Sequence, residues 1–280
     1  TCALPISADQ LKQMQAIVAE GMKEGALGLS TALQYPPAPY AKTDELIALA
    51  QIASQYGGIY ATHMRSESNG EMAALDETFR IGREAHIPVE IFHLKAAGKQ
   101  NWGKAPLVIA RIEAARAAGL DVTADTYAYT AWENGMAAFI PPWAHDGGNA
   151  KFIARLKDPA SRAKIRADML TPTDKWDNEW LAINGPEDIL ITAVNNTALL
   201  PYEGKRVSDI AKDWHEDAID TICDFLIKDN ADTEVAVFGM AQPDVELILQ
   251  QPWVSIDNDA SGTSPEGLLG TEHPDRKSVV

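Results

Sequence analysis

Three polar residues stand where apolar runs end. His63 follows residues 59–62, His93 follows 89–92, and Asp259 lies just beyond 254–256. Side chains at the C-terminal ends of different parallel strands converge on one mouth, the usual place for an active site. Neutral imidazole and carboxylate are good zinc ligands, and a catalytic zinc keeps one position open for water. Alone, a histidine after a strand is more often a hydrogen-bonded rim residue, and an aspartate in a loop such as 257–262 more often a turn or cap residue. Three such groups at one end of a parallel sheet make a metal site a reading that competes with these.

The elements that would position them follow from periodicity. Residues 8–23 carry apolar side chains at Leu11, Met14, Ile17, Val18 and Met22, a helical stripe opened by Asp9. The run 25–31 suits a buried strand, and 42–56 reads as a helix capped by Thr43. Strands are then expected at 59–62, 89–92 and 121–125, with helices at 71–86 and 105–118 between them. This alternation indicates successive βα units and a parallel sheet. The order breaks after residue 130. Residues 130–182, rich in Trp, Pro, Gly and Asp, read as an insertion or lid with helical stretches near 151–157 and 161–169. Further strands are expected at 189–194, 234–238 and 254–256, with helices at 207–214, 217–228 and 243–251.

Composition narrows the function classes. The 280 residues, 46% apolar and 23% charged, can bury a full core. A net charge of −16 argues against sequence-independent binding to nucleic acid or anionic lipid. No apolar run reaches the length of a membrane span. Two distant cysteines exclude a disulfide framework and a thiolate zinc cluster, and Cys223, among apolar neighbours, reads as a core residue.

Seven motifs together are specific. GALGLSTALQY (25–35), ATHMRSE (61–67), IFHLKAAG (91–98), TADTYAY (123–129), PPWAHDGG (141–148), LPYEGKRVSDIA (200–211) and PWVSIDNDA (252–260) occur in the order of the N-acyl-D-amino-acid deacylases of the amidohydrolase superfamily, which this chain resembles. The resemblance implies an α/β fold, a (β/α)8 TIM-type barrel with its N-terminal strands missing and an insertion of about 130–185 after the seventh strand. It implies hydrolysis of the amide of an N-acyl-D-amino acid, a small-molecule substrate, with one tightly bound zinc and a second, weaker site. Zinc polarises the carbonyl and lowers the pKa of water to about 7, while a carboxylate shuttles the proton.

Carried over residue by residue, the resemblance makes His63 and His93 the metal ligands and Asp259 the proton shuttle. Asp257 is the rival, but Asp259 before the small Ala260 fits the family pattern better. Lys95 matches a lysine that grips the substrate α-carboxylate, and Tyr35 and Tyr127 match tyrosines lining the pocket. For Lys95 a solvated surface position, and for the tyrosines plain packing, stand beside these roles. Arg65 and Glu67 are expected to pair and support the His63 loop. His86 should end a helix, His215 should be solvated, and His145, in the insertion, could approach substrate. The absence of arginine from 132–143 disfavours an acidic D-side chain.

Two departures stand out. The family places a His-x-His pair on its first strand and a bridging cysteine on its second. No His-x-His occurs here, and Cys2 is the only N-terminal cysteine. The ends TCALPIS (1–7) and DRKSVV (275–280) resemble translated sequencing adapters, and the latter interrupts a family motif after His273. The expected domain is therefore 8–274, a partial barrel inactive by itself, in a cytoplasmic protein, with a periplasmic one still open. The competing functions are a dihydropyrimidinase- or dihydroorotase-like cyclic amide hydrolase, and a barrel without catalysis.

Overall fold

The computed structural model describes residues 6–259 except Pro36 and Asp174. The suspected C-terminal adapter, His273 and most of the suspected N-terminal one lie outside these residues. The elements run α1 (Ala8–Lys23), β1 (Gly28–Ala32), α2 (Thr43–Gln55), β2 (Ile59–His63), α3 (Glu71–Ala85), β3 (Val89–Ile91), α4 (Ala105–Ala117) and β4 (Val122–Thr126). They continue with β5 (Trp132–Gly135), α5 (Asn149–Lys157), α6 (Pro159–Met169), α7 (Glu179–Ala182), β6 (Ile189–Ala193), α8 (Val207–Trp214), α9 (Ala218–Lys228), β7 (Glu234–Val237), α10 (Gln242–Leu249) and β8 (Val254–Ile256).

Five strands form one parallel sheet in the order β1-β2-β3-β4-β8. Right-handed βα crossovers require helices to cover such a sheet, and α2, α3 and α4 do so. Tyr60, Leu75, Ile91, Ile112 and Val122 lie in the resulting core. Among the described residues the sheet is open, with β1 and β8 at its edges, so the expected barrel is present only as a five-stranded parallel sheet. No described helix is long and apolar enough to cross a membrane.

The strands at Ile189–Ala193 and Glu234–Val237 do not join that sheet. With Trp132–Gly135, a segment that reads as irregular from its composition, they make a separate antiparallel sheet in the order β5-β7-β6. Its alternating apolar positions, Ile189, Ile191, Val235 and Val237, face a second core containing Phe139, Cys223 and Phe225. Cys223 is buried and free, as its neighbours imply. All of this second layer is inserted between two strands that pair directly, Thr126 lying opposite Ile256.

Two helix caps differ from expectation. Ser7, rather than Asp9, caps α1, exchanging hydrogen bonds with Gln10 in a capping box. Thr43 is the first residue of α2 rather than its cap, and its hydroxyl donates to Glu77 at 2.7 Å. The side chain is thereby committed to a neighbouring helix instead of its own N-terminus.

Candidate metal centre and substrate cavity

In-register parallel pairing brings the C-terminal strand ends to one rim. His63 ends β2 opposite Ala32 of β1. After β3 the backbone turns sharply: Phe92 N–H still donates to Thr62 O, and His93 then adopts φ +38. A β-carbon disfavours that left-handed conformation, so surrounding bonds must hold it. The His93 N–H donates to the Asp125 carboxylate, and Leu94 N–H to the Asp125 carbonyl at 2.8 Å. Asp125 on β4 thus sets where the imidazole points.

The two imidazoles meet edge to face. His63 Nδ1 lies 2.9 Å from His93 Nε2. Glu67 Oε1 lies 2.8 Å from His93 Nδ1, and the ligand atoms of His63, Glu67 and His93 all fall within 4.8 Å of one another. Behind them Lys95 Nζ donates to Glu67 Oε2 at 2.8 Å and lies 2.7 Å from His93 Nδ1. His63 Nε2 meets Gln34 Oε1 at 2.9 Å, which fixes Nε2 as the protonated nitrogen and leaves the Nδ1 lone pair facing His93.

Burial pulls the His63 pKa down to about 4, with Lys95 and His93 adding to burial and Glu67 opposing it. The ring is therefore neutral near pH 7, the form a metal requires. Burial pushes the Glu67 carboxyl up, but the two imidazoles and the Lys95 ammonium override it and hold the group well below the usual carboxylate range.

The proposed Arg65–Glu67 pair is not formed. Arg65 binds Glu77 of α3 at 2.8 Å and the carbonyls of Pro39 and Ala41, tying down the loop before α2. Glu67 is taken instead by Lys95, which at 2% exposure needs a counter-ion and is no surface lysine. The Lys95 ammonium also sits 5.4 Å from the centre of the Tyr127 ring.

Tyr35, His63, His93, Lys95, Tyr127 and Asp259 all line one cavity of about 420 Å³. Asp259, at φ +49, reaches it, whereas Asp257 stays at the end of β8 with its N–H on Thr126 O. The second layer completes the wall with side chains that the sequence reading did not select: Trp132, Asn134, Asp177 and Glu179. Glu179 accepts from Asn134 Nδ2 at 2.6 Å and from Trp132 Nε1 at 3.4 Å, and burial pushes its pKa up to about 7. Asp177 accepts from the Ser66 hydroxyl at 2.9 Å and is pushed up to about 6, also by burial. The available signal was WDNEW (176–180), acids between tryptophans in a segment otherwise packed by apolar groups.

The other histidines lie elsewhere. His145 stacks on Phe152 at 4.3 Å and lines a smaller cavity of about 210 Å³ that shares Gln34, Tyr35 and Asp177 with the main one. His86 and His215 are exposed and end α3 and α8 in the left-handed conformation.

No family model matches the chain. It is 46% identical over 123 residues to the D-aminoacylase of Alcaligenes xylosoxydans xylosoxydans, covering 44% of this chain and 25% of that protein. The N-acyl-D-glutamate deacylase of the same organism is 37% identical over 123 residues, with the same shares. Among solved structures, a D-aminoacylase described as defining a novel subset of amidohydrolases superposes with a TM-score of 0.66 at 30% identity, covering 90% of this chain and 42% of that one. The N-acyl-D-glutamate deacylase of Bordetella bronchiseptica, complexed with zinc and a phosphonate mimic of the tetrahedral intermediate, shares the fold at 24% identity with a TM-score of 0.67, covering 90% and 43%. The chain thus spans about a quarter of the curated relatives and about two-fifths of the solved ones in the matched regions.

Proposed function

We propose that the chain, which is similar to a D-aminoacylase and an N-acyl-D-glutamate deacylase, belongs to the N-acyl-D-amino-acid deacylases of the amidohydrolase superfamily and supplies the metal-holding and substrate-binding residues of a zinc-dependent enzyme that splits N-acyl-D-amino acids into a carboxylate and a D-amino acid. The observation that carries this reading is the convergence of His63 Nδ1 and His93 Nε2 at 2.9 Å inside the cavity that Lys95 and Asp259 also line. Two nitrogens bound to one tetrahedral zinc at about 2.0–2.1 Å stand roughly 3.3 Å apart, so the pair fits an ion after a small opening.

His63 and His93 would hold the zinc, which when bound polarises the scissile carbonyl and makes water a usable nucleophile. Asp259 accepts the proton from the attacking water and returns it to the departing amine. As the flanking carboxylate that faces the cavity, it is better placed for this than Asp257. Lys95, with Tyr35 and Tyr127 around it, holds the substrate α-carboxylate and so fixes which carbonyl meets Asp259. The parallel sheet is read as part of a (β/α)8 barrel, and residues of about 130–185 as the lid over its mouth.

The test is metal content together with stereoselective turnover, measured on the chain joined to the N-terminal region of a relative. Zinc bound in a His63- and His93-dependent manner, with deacylation of an N-acetyl-D-amino acid and not its L-enantiomer, is the expected result. Absence of metal binding, or equal turnover of both enantiomers, overturns the reading.

A further inference from the structure

The cavity wall contributed by the second layer carries an imbalance of charge. Glu67, Glu133, Asp177, Glu179 and Asp259 line the cavity, and among the described residues Lys95 is the single lysine or arginine that does so. Lys95 is already held by Glu67. Part of the wall is also short of donors. Asn134 is 9% exposed, and its amide nitrogen is given to the Glu179 carboxylate, which leaves Asn134 Oδ1 buried without a donor. Asp177 Oδ1 takes the Ser66 hydroxyl, while its Oδ2 is buried without a partner. Buried acceptors left unpaired are costly, and what satisfies these must bring hydrogen-bond donors.

We infer that Asp177, Glu179 and Asn134 form a subsite for a cationic, hydrogen-bond-donating side chain, so that the preferred substrates are N-acyl-D-amino acids with a basic side chain such as arginine or lysine. This rests on the deacylase reading for the identity of the substrate backbone, which Lys95 and the zinc ligands address. The subsite explains three features at once. It gives Asp177 Oδ2 and Asn134 Oδ1 their donors. It balances carboxyls that burial otherwise pushes up to about 6 and about 7, because a neighbouring cation favours their ionised forms. It also excludes acidic side chains, which would meet a wall of like charge.

Calorimetric titration of the zinc-loaded chain with N-acetyl-D-arginine, N-acetyl-D-norleucine, N-acetyl-D-glutamate and agmatine tests it. The expected order is arginine tighter than norleucine by about tenfold, as a charge-assisted contact provides, with glutamate weakest. Asp177→Asn and Glu179→Gln should each shrink the arginine-to-norleucine ratio, and circular dichroism shows whether either variant remains folded. Norleucine binding as tightly as arginine, or glutamate binding tightest, overturns the subsite, as does failure of both cationic probes to bind. Agmatine, lacking carboxylate and acyl group, separates the two readings. If it binds in an Asp177-dependent way while no N-acyl-D-amino acid is hydrolysed even by the chain joined to a relative's N-terminal region, the cation subsite stands and the deacylase reading falls. If arginine and norleucine substrates are bound and hydrolysed alike, the deacylase reading stands and the subsite falls.

Discussion

His63 and His93 face each other across neighbouring parallel strands with Nδ1 and Nε2 2.9 Å apart, and the Gln34 side chain fixes the protonated nitrogen of the first. Two imidazoles so arranged either share a proton or direct both lone pairs at one ion. Removing either ring should therefore abolish tight zinc binding. His63→Ala and His93→Ala are expected to weaken binding on the order of a hundredfold or more, read by competition with a chromogenic chelator, because a lost first ligand costs at least what a lost supporting residue does. Unchanged zinc affinity in either variant would remove that histidine from the site.

Asp259→Asn should separate metal binding from chemistry. The amide cannot accept a proton, so in the chain joined to a relative's N-terminal region turnover should fall on the order of a hundredfold or more while zinc content stays at the parental level. Asp257→Asn is the control. An equal loss from it would reassign the proton shuttle.

Lys95 is predicted to act on both stability and substrate choice. With the lysine gone, Glu67 keeps only imidazole neighbours, and breaking a buried pair costs about 3–5 kcal/mol. Lys95→Ala should thus lower the urea midpoint, and Lys95→Ala/Glu67→Gln should recover part of the loss. In kinetics, the single variant should impair free acids more than the corresponding esters. Equal impairment would place Lys95 outside substrate contact.

The buried Glu179 carboxyl predicts a pH dependence of folding. Its folded pKa, about 7, lies above the ordinary 4.5, so the folded state binds the extra proton between those values. Its contribution is full below about pH 4.5 and is lost as pH rises through 7, on the order of 3 kcal/mol for a shift of this size. Urea melts at pH 5 and pH 8 should differ in that direction, and Glu179→Gln should flatten the difference. Asp177, raised to about 6, acts in the same sense over a lower window.

Gly28 marks where β1 can approach β2. A β-carbon there would lie 2.0 Å from the Ile59 carbonyl oxygen and 2.7 Å from the Ile59 nitrogen, both backbone atoms that cannot swing away. Gly28→Ala should cost about 1–3 kcal/mol as an overpacking change. It should also displace Gln34 from His63, visible as a changed imidazole signal in NMR. A variant as stable as the parent would show that β1 pairs more loosely than this register requires.

The sequence by itself determined the strand–helix alternation and the residues of the rim. Short apolar runs followed by His63, His93 and Asp259 are local facts, and a parallel sheet must gather strand ends on one side whatever its exact closure. It also carried Lys95, Tyr35 and Tyr127 through the motifs in which they stand. Only the tertiary structure decided who pairs with whom. Arg65 and Glu67 are two residues apart, yet one turns to Glu77 on α3 and the other to Lys95, because the buried ammonium had the greater need of a counter-ion. The second layer was illegible for a similar reason. Asp177 and Glu179 reach the cavity because β5, β6 and β7, from distant parts of the chain, pair into one antiparallel sheet over the rim. Pairing between segments about a hundred residues apart leaves no periodic trace in either, so the acids that complete the cavity wall could be found only once the chain was folded.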